Sequence, residues 1–381
     1  MKKLIYMFTI LISSYSTFAQ TVKIDQEKLL EFYQTQRYAE AATYLQSIYS
    51  KDTENPKELA QLGYASMMAG NLPAAEKNYL LLYKQQPESL PVLFNLANIS
   101  RRRGDDSKSK LYYLEIIKLD SMNFNVYKQL AAMIPVPIDP EKVIYLKKAN
   151  AIQPANPDVA FDLASSLNMS KKNDSAYAVL QTALTADTSN FMLLKAKLPV
   201  CIALKKLDET IVTGEKLMLG GDSSSYVLNN IGVAYFAKKE FDKSLKLFMA
   251  IENREEQNES TLYYTAMCYR ELKNYDLAAM YMKRSIKEGI SPYTSKYYRL
   301  LGEIYEKNAL LTNANQAYHK SLDFENEGTT YYNLGLINDY KLNRKQSALK
   351  YYKQYLDSKP DTALQKDVIT YVKSRVAALQ K

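Results

Sequence analysis

A motif that returns about every 34 residues constrains this 381-residue chain more than any other feature. The clearest unit reads Leu62-Gly63, Ala75, Tyr79 and Pro87, and it recurs as Leu96-Ala97, Ser109, Tyr113 and Ser121. Further copies are Leu163-Ala164, Ala176 and Leu180; Ile231-Gly232, Tyr235, Phe241, Ser244 and Phe248; and Ala266, Tyr269, Tyr275, Ala278 and Met282. Two more run through Leu301-Gly302, Tyr305, Ala314 and Tyr318, and through Leu334-Gly335, Ala348, Tyr352 and Pro360. In each copy the first small residue falls where two helices must approach closely, and the second does the same for the return helix. Large apolar residues four and seven places later share the face of that helix, because such positions align at 3.6 residues per turn. Asn71, Asp105, Asn274 and Asn343 supply turn chemistry between the helices. Pro87, Pro154 and Pro360 stop the second helices, since proline has no amide proton to give. Composition agrees with this reading: 11 glycines in 381 residues, against an average usage of about 7%, exclude a turn-rich β fold and glycine loops that cradle phosphate.

This unit resembles the tetratricopeptide repeat, a 34-residue helix–turn–helix, and the resemblance covers about residues 22–360. It implies an all-α tetratricopeptide-repeat helical solenoid, a right-handed superhelix of about ten helix–turn–helix repeats with a C-terminal capping helix. On that basis residues 20–190 hold repeats one to five, 191–223 a degenerate sixth, 224–361 repeats seven to ten, and 362–381 the cap. Val368, Val372, Val376 and Leu379 give the capping helix its apolar face. The sixth repeat carries Pro199 inside its first helix, together with Gly214 and Gly220-Gly221, and is a candidate hinge. Pro135, Pro137 and Pro140 predict that the fourth repeat's first helix ends early and that its second begins near Pro140.

Residues 1–19 have the order of a secretory signal peptide: Lys2 and Lys3, an apolar run from Leu4 to Ile12, then small residues up to Ala19. Cleavage is expected between Ala19 and Gln20, and the apolar core is shorter than the ~20 residues needed to span a bilayer. Export to a periplasm or cell envelope of Gram-negative type follows as the expected location, with no transmembrane segment in the mature chain. Cys201 and Cys268 lie two repeats apart, beyond the roughly 7 Å reach of a disulfide, and read as buried, inert thiols. Three tripeptides beginning at Asp120, Asp174 and Asp361 resemble an envelope O-glycosylation pattern, but each also suits a helix cap.

One histidine in the whole chain, with no Walker loop, GxSxG elbow or metal-spaced cluster, offers no catalytic constellation. No enzyme activity, cofactor or metal is expected. In the resembled family the first helices of successive repeats line a concave groove. Carried over by position, that implies a partner-binding surface of Tyr64, Met67, Phe94, Asn98, Arg101, Arg102, Lys128, Phe161, Asn229, Tyr263, Arg270, Arg299 and Tyr332. Asn95, Asn230 and Asn333 stand where relatives hold an extended backbone. The net charge of +9 falls to +7 without Lys2 and Lys3, and residues 21–190 are balanced at 19 basic and 19 acidic side chains. The excess therefore belongs to residues 191–381, with 29 basic against 22 acidic. The expected function is a non-catalytic protein–protein interaction scaffold of the periplasm or envelope, binding a partner protein or extended segment, acidic ones included, in the groove. The alternative is an outer-membrane assembly or carbohydrate-uptake accessory factor that meets anionic lipid or glycan through the basic C-terminal half. Nucleic acid is not an expected partner, because the basic residues are interspersed with acids.

Overall fold

A computed structural model gives the structure of residues 24–289 and 291–380, so the expected signal peptide lies outside the described residues. The described residues form helices and turns, with no strand among them. They divide into two compact units, one ending at Pro135 and one beginning at Val136. The first holds α1 (Gln26–Gln34), α2 (Tyr38–Ile48), α3 (Pro56–Met68), α4 (Leu72–Gln85), α5 (Leu90–Arg102), α6 (Asp106–Leu119) and α7 (Phe124–Ala132). The second opens with α8 (Pro140–Ile152), followed by α9 (Pro157–Met169), α10 (Asn173–Ala186), α11 (Phe191–Ala203), α12 (Leu207–Leu219), α13 (Ser225–Ala237) and α14 (Phe241–Glu252). It continues with α15 (Glu259–Glu271), α16 (Tyr275–Lys287), α17 (Thr294–Lys307), α18 (Leu311–Leu322), α19 (Gly328–Leu336), α20 (Lys345–Asp357) and α21 (Lys366–Leu379). In sequence these make ten helix–turn–helix repeats followed by α21. The fourth repeat shows the expected proline effect: α7 stops at Ala132, and Pro140 opens α8 behind an Asp139 cap that accepts from the Glu141 and Lys142 amides.

The turn inside nine of the ten repeats, all but the fourth, has a fixed backbone signature. Gln36, Gly70, Gly104, Lys171, Lys205, Lys239, Lys273, Ala309 and Asn343 all have positive φ, and most successive members are 34 residues apart. Their left-handed conformation ends the first helix, and the next residues start the second, where Asn71, Asp105 and Asn274 cap with their side chains. Only Gly70 and Gly104 are glycines at this step; the lysines adopt it against the clash of Cβ with the backbone.

Packing within four of the repeats rests on a missing methyl. A Cβ on Gly63 would lie 2.9 Å from the Tyr79 ring, on Gly232 2.8 Å from Phe248, on Gly302 2.6 Å from Tyr318, and on Gly335 2.5 Å from Tyr352. The ring of the second helix therefore lies flat on the bare backbone of the first. Tyr79, Phe248, Tyr318 and Tyr352 are all buried, and so are the small residues Ala75, Ser244, Ala314 and Ala348 one turn before them.

In the sixth repeat a methyl on Gly220 would collide with the Phe191 ring of the same repeat, and one on Gly214 with Ile231 of α13 in the next. That repeat is also pinned by a polar network. Buried Lys197 on α11 pairs with Glu209 on α12 at 2.6 Å, and the Tyr177 hydroxyl on α10 donates to the same carboxylate at 2.9 Å. Burial would push the Glu209 pKa up, but the hydrogen bonds from Lys197 and Tyr177 overcome it and hold it below its ordinary value.

Between its small residue and its ring the tenth repeat holds one residue more than the other glycine repeats. The glycine-to-ring spacing is 16 for Gly63–Tyr79, Gly232–Phe248 and Gly302–Tyr318, and 17 for Gly335–Tyr352. The extra residue is absorbed by a π-helical turn, Ile337–Lys341, continuing α19. At its centre is buried Asp339, which accepts from Arg375 on α21 at 2.8 and 2.9 Å and from Lys345 on α20 at 2.9 Å. Val372 of α21 packs with Ala348, Tyr352 and Tyr355, so the cap is held by an apolar stripe and one buried carboxylate.

Three outcomes follow from this packing. Gly335→Leu is expected to destabilise the chain by about 1–3 kcal/mol, because it overpacks the Tyr352 contact, read as a lower denaturation midpoint. Lys239→Gly is expected to stabilise by up to about 1 kcal/mol, the left-handed penalty of roughly 1–2 kcal/mol less the glycine entropy of roughly 0.5–1 kcal/mol. For Asp339, burial raises the pKa, but the Lys345 and Arg375 hydrogen bonds and charges outweigh it and hold the carboxyl below its ordinary value. A depressed pKa contributes stability that is full above the unfolded value near ~3.9 and lost as pH falls through the folded one. Amide exchange in α21 should therefore accelerate on acidification below about pH 4, and Asp339→Ala should produce the same loosening at neutral pH.

Candidate functional site

In the second unit successive first helices touch one another, α9 on α11, α11 on α13 and α13 on α15, so they form its inner row. A pocket of about 700 Å³ opens on that row. Phe161 and Met169 of α9, Phe191, Met192 and Pro199 of α11, and Tyr226 of α13 supply its apolar walls. Pro199 shapes it twice. Its ring is part of the wall, and its lack of an amide proton leaves the Lys195 carbonyl without the usual helical partner. The Tyr226 hydroxyl donates to that carbonyl at 3.4 Å. Lys195 also ion-pairs with Asp222 at 2.8 Å and places its ammonium 5.9 Å from the Tyr226 ring centre. Hydrogen bonds from Lys195 and Ser224 pull the Asp222 pKa down to about 2. The polar rim is thus a neutral pair.

In the first unit α3 and α5 form a cleft of about 520 Å³, lined by Met67, Asn98, Arg101 and Arg102. Arg101 donates to the Gln129 side-chain oxygen at 2.7 Å, and Arg102 to the Met67 carbonyl at 2.9 Å. Asn98 accepts from the Tyr113 hydroxyl at 3.0 Å. Both guanidiniums are therefore oriented by neutral oxygens, and among the described residues neither is paired with a carboxylate. Their position in the last turn of α5 also satisfies the negative end of the helix dipole.

Models of the tetratricopeptide repeat match residues 260–288 and 328–362, the eighth and tenth helix pairs. The chain carries tetratricopeptide repeats at these two pairs. Solved structures similar to it include a tetratricopeptide repeat protein from Parabacteroides merdae, at 16% identity over 79% of this chain and 98% of that one, TM-score 0.41. YrrB, described as a TPR protein with an unusual peptide-binding site, is 16% identical over 50% of this chain and 97% of its own, TM-score 0.42. Yeast Tom70 is 12% identical over 93% and 95%, TM-score 0.44. No curated protein matches the chain.

The repeats bring some of the expected groove residues together and disperse others. Met67, Asn98, Arg101 and Arg102 share one cleft. Phe94 lies beside it with its ring edge-on to Tyr113 at 5.6 Å. Tyr64 belongs to an aromatic group with Tyr33 and Tyr38, at 5.5 and 6.5 Å. Lys128 sits half-buried on α7. Phe161 lies in the α9–α11–α13 pocket. Asn229 on α13 has a buried side-chain oxygen without a hydrogen-bond partner, whereas Asn230 donates to the Tyr226 carbonyl of its own helix at 2.8 Å.

Farther along, charges that read singly in the sequence are paired. Arg270 binds Glu271 at 2.7 Å and stands 3.9 Å from Glu303; Arg299 binds Glu303 at 3.0 Å and Glu327 at 3.2 Å. Tyr263 stacks on Tyr297 at 5.1 Å, and Tyr332 packs against Tyr355 and Tyr371 beneath the cap. Cys201 and Cys268 are free and buried, and burial pushes both thiols up to about 11. The Asp120 and Asp361 side chains accept amides of the turns that follow them and do not cap the next helices, which begin behind Asn123 and Gln365; Asp174 lies in the first turn of α10, behind Lys172. Sequence reasoning missed Phe191, Met192 and Tyr226. The available signal was α11 itself, whose residues are apolar on nearly every side, a pattern that leaves some of them for a ligand or neighbour. Among the described residues no helix is long and apolar enough to cross a membrane.

Proposed function

We propose that this tetratricopeptide-repeat protein is an exported, non-catalytic scaffold that holds an extended segment of a partner protein against its first helices. The observation that carries the reading is the α3–α5 cleft, where Arg101 and Arg102 keep their charge uncompensated over Met67 and Asn98. Arginine offers a flat, permanently charged fork that binds carboxylates bidentately, so an acidic stretch suits this cleft. The α9–α11–α13 pocket, with its neutral rim, suits an apolar side chain instead. The C-terminal basic excess contributes less to such binding. Arg270 and Arg299 are neutralised by glutamates, and Lys345 is committed to Asp339.

Arg101→Ala with Arg102→Ala is expected to weaken binding of the partner captured from envelope extract by about 2 kcal/mol or more, the hot-spot scale. Lys350→Gln with Lys353→Gln should chiefly change the association rate and its salt dependence. A partner that binds the arginine variant normally but loses the lysine variant would transfer the function to the basic surface. Export is tested separately: N-terminal sequencing of the mature protein should begin at Gln20, and retention of Met1 on a cytoplasmic protein would end that part of the reading.

A further inference from the structure

We propose that a cleft between α16 and α17 binds a fatty-acid-class anion, with its apolar chain inside and its carboxylate at Lys283 and Lys287. The cleft has a volume of about 490 Å³, within the range of small-ligand pockets. Its lining comes from the end of α16 (Lys283, Ile286, Lys287), from one stripe of α17 (Thr294, Tyr298, Leu301), and from Phe324 just beyond α18. Residues 294, 298 and 301 recur at helical spacing, so they share a face, while Arg299 and Glu303 point roughly the opposite way. The cleft is therefore separate from the charged cluster of the inner row.

Its walls are apolar and partly open to water. Tyr298 and Phe324 are stacked at 5.6 Å with their planes 14° apart, which makes one flat aromatic wall, and Phe324 remains 40% exposed. Ile286 and Leu301 belong to the core around it. The mouth is cationic. Lys283 and Lys287 are four residues apart on α16 and stand on one face, with exposed ammonium groups. Neighbouring cations have carboxylate partners: Arg284 has Glu252 at 2.6 Å, and Lys320 has Asp323 at 2.7 Å. Lys283 instead lies 5.5 Å from the Tyr305 ring centre, and neither Lys283 nor Lys287 pairs with a carboxylate among the described residues. Lysine stems can line an apolar wall while their charged heads stay in water. An apolar interior with two unpaired cations at its mouth is complementary to an amphiphile with an anionic head and a hydrocarbon tail. It is not complementary to a neutral or cationic one.

Calorimetric titration of the mature full-length chain with dodecanoate, below its micellar range, is expected to show saturable binding. The methyl ester of the same acid should bind at least tenfold more weakly. Lys283→Gln with Lys287→Gln, and separately Phe324→Ala, should each weaken dodecanoate binding at least tenfold, whereas Lys350→Gln with Lys353→Gln should not. Circular dichroism of each variant checks that the repeats remain folded. Absence of saturable binding, equal binding of the ester, or full affinity in the Lys283/Lys287 variant would overturn the proposal. So would binding to phosphatidylglycerol vesicles with the same lysine dependence and no affinity for the free acid, which would assign the two lysines to a membrane surface.

Discussion

In four of the repeats the packing of the helix pair depends on a ring lying against a backbone that has no side chain. Where Gly63, Gly232, Gly302 or Gly335 removes the Cβ, the aromatic side chain one helix away drops into the gap and both helices close on it. Interiors are packed like organic crystals, so a gap of that size must be filled and a methyl more would force the pair apart. The contact fixes the separation and register of the helices in a repeat, and the left-handed turn between them fixes where the second begins. Because each repeat leans only on its neighbours, a small local rule propagates along the chain.

The tenth repeat shows how strict that rule is. One additional residue between Gly335 and Tyr352 would rotate the helix by about 100° and carry the glycine away from its ring. The π-helical turn takes up the residue and leaves the contact intact. The same turn draws Asp339 inward, where an unpaired carboxylate would be costly, and Arg375 and Lys345 supply the compensating charge. The cap is thus coupled to the irregularity beside it: the residue that needs a partner lies in the last repeat, and the partner is carried by α21.

Charge on this protein is decided by neighbours more than by totals. Arg101 and Arg102 face neutral oxygens and stay available, while Arg270 and Arg299, equally basic on paper, are matched by Glu271, Glu303 and Glu327. Lys283 and Lys287 stand without a carboxylate at an apolar mouth, while Arg284 between them on α16 is paired with Glu252. A net excess on residues 191–381 therefore does not locate a binding surface.

The sequence by itself determined the all-α class, the 34-residue repeat and the small positions at 63, 232, 302 and 335, because periodicity and side-chain size are local properties. It also announced the early end of α7 and the start of α8, since proline acts on its own turn. Four residues of the α3–α5 cleft were legible in the same way, each falling at a known place in its repeat. Only the tertiary structure decided which charges find partners, that Pro199 frees a carbonyl beside a pocket, and that Phe191 and Tyr226 complete its walls. Several of these contacts, such as Arg299 with Glu327 and Tyr226 with Lys195, join side chains about 30 residues apart across helices, where local spacing does not choose the neighbours. The one-residue surplus in the tenth repeat was present in the sequence all along. That it becomes a π-helical turn, and not a shifted ring, was settled by the cost of leaving the Gly335–Tyr352 gap unfilled.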